Sequence, residues 1–155
     1  MIGLFGFCFS CKEEPFPELP PETQSGAGSF GCLINNELVF AWNNSNQLDV
    51  NARYVISTDQ LQISARCQFG QQFFFVIDNP YQKQNTLIDT VRYLPPDLND
   101  FLEATQTGYF KITRIDNINN GFDVVSGTFF FDLIENGKTP IHVTKGRFDL
   151  TLLIY

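Results

Sequence analysis

Leu61-Gln62-Ile63-Ser64-Ala65-Arg66-Cys67-Gln68-Phe69 decides the fold, because Leu61, Ile63, Ala65, Cys67 and Phe69 fall on one side of a period of two and the polar residues on the other. Strict alternation is the signature of a strand with one face in a core and one in water. Working outward, Gly70-Gln71 turns the chain into residues 72–78, where Phe73, Phe74, Phe75 and Val76 run unbroken and suggest a strand covered on both sides. Upstream, residues 30–34 and 38–42 read as two strands joined at Asn35-Asn36, a pair that tolerates the left-handed backbone of a tight turn. A polar loop at residues 43–47 leads to a short strand at 54–57.

Downstream, residues 86–93 read as one strand closed by Leu94-Pro95-Pro96, and residues 97–104 are the only helix candidate, through Leu98, Phe101 and Leu102. Residues 109–116 and 122–133 form a hairpin around residues 117–121, and Asn136-Gly137 joins the second of these strands to residues 141–155. In that last segment Ile141 and Val143 are apolar at odd positions, whereas Phe148, Leu150, Leu152 and Ile154 are apolar at even ones. The phase flips at Lys145-Gly146, which predicts a β-bulge with Gly146 at positive φ. The sum is an all-β domain of about eight or nine strands, an antiparallel sandwich or a closed or flattened barrel, with at most one short helix.

The N-terminus carries a different signal. Residues 1–10 are uncharged and mostly apolar, end in Ser10, and give way to Cys11 and then Lys12-Glu13-Glu14. This is the pattern at the end of a bacterial lipoprotein signal, with Cys11 as the lipidated residue, although no basic residue precedes the apolar run. The competing reading is a short buried strand. At ten residues the run is too short to cross a membrane as a helix, which takes about 20. Residues 11–28, with Pro15, Pro17, Pro20 and Pro21, read as an extended, solvated tether. Residues 29–155 then form a single domain.

Composition narrows the function classes. The net charge is −7, which argues against nucleic acid and anionic headgroups as partners, since both require a positive surface. The core chemistry is aromatic, with 17 Phe, 5 Tyr and 1 Trp against a single Met. Of the four cysteines, Cys8-x-x-Cys11 lacks the second close pair of a zinc site, and Cys32 and Cys67 are either buried thiols or a disulfide.

No catalytic, cofactor or metal constellation emerges. His142 is the only histidine, lies on the polar phase of its strand and has no Gly-x-Ser-x-Gly elbow beside it. Asp78, Asp89, Asp116, Asp132 and Asp149 show no spacing that singles out a catalytic pair, and residues 116–123 are oxygen-rich without the EF-hand alternation. Arg147 and Asp149 share a phase and read as an outer-face ion pair. The best binding candidates are Trp42, Tyr81, Tyr93 and Tyr109, which fall at strand ends or loop edges, where rings can stack on a sugar or grip a peptide. They serve equally well as caps of the core.

Four stretches resemble an uncharacterised family of Bacteroidota lipoproteins with the motifs LPPxTQxG, FGCLVNG, SGTFxF and GRFD. Here they are Leu19-Pro20-Pro21-Glu22-Thr23-Gln24-Ser25-Gly26, Phe30-Gly31-Cys32-Leu33-Ile34-Asn35-Asn36, Ser126-Gly127-Thr128-Phe129-Phe130-Phe131 and Gly146-Arg147-Phe148-Asp149. Asn36 replaces the family glycine, and Val39 stands near a position that is commonly aromatic. The resemblance implies an extracytoplasmic all-β domain and brings no activity with it. Lys12-Glu13-Glu14 is also similar to the acidic signal that sends some lipoproteins of that phylum to the outer face of the outer membrane. The expectation is therefore a non-enzymatic binding or interaction module, without cofactor, anchored in the cell envelope through Cys11, with an envelope protein or carbohydrate as ligand. The alternatives are a structural accessory subunit of an envelope complex and an unrecognised hydrolase.

Overall fold

The strand periodicity is realised in a computed structural model that describes residues 18–42, 49–82, 85–86, 90–97, 100–103, 108–116, 123–134 and 139–155. Cys8, Cys11, Asp89 and the turns at 117–121 and 136–137 lie outside these residues. The elements are β1 Ser29–Ile34, β2 Glu37–Trp42, β3 Val50–Val55, a 3-10 turn Ile56–Thr58, β4 Gln60–Arg66 and β5 Gln72–Asp78. They continue with β6 Asn85–Thr86, β7 Thr90–Leu94, β8 Leu102–Glu103, β9 Gly108–Ile115, β10 Asp123–Leu133 and β11 Ile141–Ile154. Neighbours follow the order β6-β9-β10-β11-β3-β4-β5-β7-β8, with β1 between β11 and β2, and the sheet does not close into a barrel.

Strand β11 makes this one continuous sheet folded into a sandwich. Along one edge it pairs with β10 from residue 141 to residue 152. Its other edge takes β1, antiparallel, beside residues 143–149 and then β3, parallel, beside residues 152–154. The two halves of the sandwich diverge from there. Phe30, Phe110, Phe129, Phe131 and Phe148 come from one layer, and Phe73, Phe75 and Tyr93 from the other. Ring centroids meet across the layers at 5.2 Å for Phe30–Phe73 and 5.0 Å for Phe75–Phe129, within the range of favourable aromatic packing.

Local chemistry explains most of the pairing. Asn35 and Asn36 both adopt positive φ, 50° and 72°, as the two-residue turn between β1 and β2 requires. The stretch 86–93, expected as one strand, divides instead: Thr86 pairs with β9, whereas β7 pairs with β5 in the other layer. The helix candidate at 97–104 is not helical in its described part, since Leu102 and Glu103 pair with β7 as strand β8. Too few residues of helical period lie there to sustain a helix against strand pairing.

The bulge lies where the phase flips, but its parts differ from expectation. Phe129 faces Gly146 and Phe131 faces Val143, so Thr144 and Lys145 together oppose Phe130. The left-handed residue is Lys145, at φ 52°, and Gly146 is not at positive φ. Gly146 is required for space: a Cβ there would stand 2.3 Å from the Phe129 ring.

Two substitutions separate these roles. Gly146→Val is expected to destabilise the fold by about 2–3 kcal/mol through overpacking. Lys145→Gly is expected to stay within about 0.5 kcal/mol, because relief of left-handed strain offsets added chain entropy. Urea unfolding of both variants checks this. A tolerant Gly146 with a sensitive Lys145 would reverse the assignment.

Candidate functional site

The four aromatic candidates separate by burial. Tyr93 is only 4% exposed, packs 4.9 Å from Phe73 and offers no face to a ligand. Burial, and then Cys32, pushes its hydroxyl up to about 12. Tyr81 is half-buried, donates to the Asp116 carbonyl at 3.1 Å and meets Tyr54 edge-on, so it braces the core. Tyr109 is half-buried and stacks on Phe130 at 5.6 Å. Trp42 alone of the four is well exposed, at 52%, and its ring lies on Phe40 at 4.7 Å and 26°.

Cys32 and Cys67 are buried and unbridged. Burial is the main cause that pushes Cys67 up to about 12, with Asp49 second, and burial likewise raises Cys32. Both are therefore neutral thiols that pack as small apolar groups.

His142 Nδ1 lies 2.7 Å from Asp132 Oδ1 on the exposed face. Among the described residues no serine, threonine or cysteine side chain is hydrogen-bonded to that ring, and no group of three or more metal-ligating side chains comes together. Asp116 is held by a two-pronged bridge from Arg114, at 2.8 and 2.7 Å, which leads the causes that lower its pKa.

Asp149 overturns the outer-face ion-pair reading. It points outward from β11, yet it is 1% exposed because residues 23–27 lie over it. Its carboxylate accepts from Thr23 Oγ1 at 2.6 Å, Ser126 Oγ at 2.7 Å and Gly26 N at 2.8 Å. Ser25 N, Ser25 Oγ and Ala27 N add bonds at 3.0, 3.1 and 3.2 Å. Gly26 at φ 74° turns the three consecutive N–H groups inward, forming an anion nest filled by the protein's own carboxylate.

The arm's carbonyls are held by the two neighbouring arginines. Arg147 Nη1 donates to the Pro20 carbonyl at 3.0 Å, and Arg114 Nη1 donates to the Gln24 carbonyl. The described part of the stretch expected to be a solvated tether is thus fastened to the sheet from Leu19 onward, where Pro20 also covers Gly31.

Among the described residues the opposite outer face is open and chemically rich. Outward residues of β3, β4, β5 and β7 stand in rows: Asn51, Ser64, Phe74 and Arg92 in one, and Arg66, Gln72 and Leu94 in the next. A third row carries Arg53, Gln62, Val76 and Thr90. Three of the chain's five arginines therefore share this face. Over the first two rows lies a hollow of about 360 Å³, walled by Asp49 and by Phe101, which is 45% exposed. A second hollow of about 270 Å³ shares Asp49 and Arg66 with it and runs on to Trp42. The Arg66 amide donates to the Asp49 carbonyl at 2.6 Å, which fixes the residues where the hollows join.

Reading the sequence did not single out Phe74, Arg66, Asp49 or Phe101 as site residues. The signal for Phe74 was present in the unbroken run Phe73-Phe74-Phe75, which was read as burial on both faces. In the structure Phe73 and Phe75 are buried at 1% and 0%, whereas Phe74 faces outward. An outward phenylalanine beside outward arginines marks the groove.

The Asp149 nest carries a pH signature. Burial by itself would raise the carboxyl pKa, but the bonds from Thr23, Ser25, Ser126 and Gly26 outweigh it and leave the group well below the usual carboxylate range. Because the folded value is the depressed one, the stabilisation is fully present above the unfolded value of about 3.9 and is lost as pH falls through the folded value. Asp149→Asn, which sets an amide among donors, is expected to cost about 3 kcal/mol at neutral pH. The gap from the native chain should narrow below about pH 4. A gap that stays constant across a series of urea unfolding curves from neutral to acid pH would remove the ionised carboxylate from this role.

Compared with known proteins, the chain matches no family model, no curated protein and no solved structure.

Proposed function

We propose that this chain is a non-enzymatic binding module of the cell envelope, anchored in the outer membrane through a lipid on Cys11, that presents the outer face of β3, β4, β5 and β7 to its ligand. The observation that carries the binding role is the pair of adjoining hollows between Phe101 and Trp42, which share Asp49 and Arg66 and together form a groove. Its hollows are of the order of small-molecule sites, about 300 Å³ and upward, and combine aromatic rings with convergent polar groups.

The anchor is supported by the sequence Ser10-Cys11-Lys12-Glu13-Glu14 that closes an uncharged apolar run. With the arm fastened at Leu19, the chain between Cys11 and the folded body reaches at most about 25–30 Å. An anchored groove would then work close to the membrane surface. The accessory-subunit alternative draws on a smaller feature, Phe130, which is 52% exposed on the other outer face and stacked on Tyr109.

Intact-mass measurement and N-terminal peptide mapping of the chain from a membrane fraction test the anchor. The expected product begins at an acylated Cys11, and Cys11→Ala should move the protein to the soluble fraction. An unmodified chain beginning at Met1, or a Cys11→Ala protein that stays with the membrane, contradicts it.

A further inference from the structure

We infer that the groove on β3, β4, β5 and β7 binds a neutral oligosaccharide, with one sugar ring on Trp42 and another over Phe74 and Phe101. The inference rests on the groove being the ligand site and adds the chemical class of what it holds.

The lining selects among ligand classes. An apolar ligand is disfavoured, because it would strip water from Asp49, Asn51, Gln72 and two guanidiniums without replacing those hydrogen bonds. A small anion finds the wrong balance, since Asp49 lines both hollows beside the guanidiniums. A peptide adding a strand finds no edge in the first hollow, where the backbones of β3, β4, β5 and β7 are paired with one another, and the edge of β2 beside the second hollow is what the peptide probes below test.

A sugar chain answers each demand. Its hydroxyls donate and accept in adjacent pairs, matching a carboxylate that accepts twice, a guanidinium that donates twice and amides that do both. Its C–H faces cover aromatic rings without a charge requirement, which suits a protein of net charge −7 that has placed as many as three arginines on this face beside Asp49 and Asp78. The ring positions are set for more than one sugar. Trp42 is braced from behind by Phe40 at 4.7 Å, and Phe74 and Phe101 line the other hollow beyond the Asp49 and Arg66 junction. Strands are about 4.8 Å apart, so the two hollows span several strand widths, and a single monosaccharide would leave one of them empty.

The chain has one tryptophan, so its emission reports on Trp42 alone. The full chain is titrated with hexasaccharides of β-1,4-glucose, β-1,4-xylose, β-1,4-mannose, β-1,4-N-acetylglucosamine and α-1,4-glucose. Oligogalacturonate and a pool of random hexapeptides serve as charged and peptide probes, and calorimetry measures affinity. The expected result is an emission shift with one neutral series. Affinity should fall about tenfold or more in Trp42→Ala and in Arg66→Ala, both exposed positions where melting should not change. Phe130→Ala, on the other outer face, should bind as the native chain does.

Binding of the oligogalacturonate or the peptides alone, abolished by Arg66→Ala, would overturn the neutral oligosaccharide while leaving the groove as the ligand site. No heat and no emission shift with any probe would overturn both. Saccharide binding that Trp42→Ala and Arg66→Ala leave unchanged would place the sugar elsewhere and overturn the inference for this groove.

Discussion

A single buried carboxylate organises one whole side of this protein. Asp149 is 1% exposed and accepts six hydrogen bonds, five from the arm that precedes β1 and one from Ser126 on the neighbouring strand. A buried charge without such partners would cost several kcal/mol, so the arm and the carboxylate require each other. Once the arm is held, β1 enters the sheet beside β11 at a fixed register, and Phe30 is delivered to the centre of the aromatic core. Residues 19–26, 30–36, 126–131 and 146–149 meet here. The first supplies the donors, the second the glycine beneath Pro20, the third Ser126, and the fourth Gly146, Arg147 and Asp149. Thr23, Ser25, Gly26, Ser126, Arg147 and Asp149 among them fasten the arm, while Gly146 makes room for the Phe129 ring.

The same arrangement gives the sandwich two unlike outer surfaces. The outer surface of β10 and β11 is partly covered by the arm, with Arg114 and Arg147 spent on its carbonyls. Among the described residues the outer surface of β3, β4, β5 and β7 has no such cover and keeps Arg53, Arg66 and Arg92 on the water side. Division of labour between faces follows from where the arm lies, and the arm lies where Asp149 is. The proposed binding surface is in this sense the face that the described arm, residues 19–27, leaves open.

The fold was legible wherever alternation was strict. Residues 61–66 of the expected strand 61–69 pair as the period of two implies, although the strand ends at Arg66 and leaves Phe69 65% exposed. The Asn35-Asn36 turn takes the expected backbone, and the phase flip near Gly146 marks a true bulge. Legibility failed where a residue's environment is set by a distant segment. Asp149 reads as an exposed strand acid because the five arm bonds that bury it come from residues more than 120 positions away. Tyr93 reads as a strand-end aromatic because nothing local shows Phe73 against it. Phe74 is the reverse case, an apolar residue in an apolar run whose outward direction depends on the sheet's having one open face. Lys145, rather than Gly146, takes the left-handed position because the crowded ring of Phe129 claims the glycine. Short-range rules favour the glycine for backbone freedom, and packing decided otherwise.

The measurement that bears most directly on this account is an NMR titration of the Asp149 side-chain carboxyl carbon, combined with hydrogen exchange at the Ser25, Gly26 and Ala27 amides. The account requires Asp149 to remain ionised well below the usual carboxylate value of about 3.9, with the three amides protected until that carboxyl takes its proton. A carboxyl that titrates at the ordinary value, beside amides that exchange freely at neutral pH, would mean that the arm is not held by Asp149. The division between a covered and an open face would then have no physical basis.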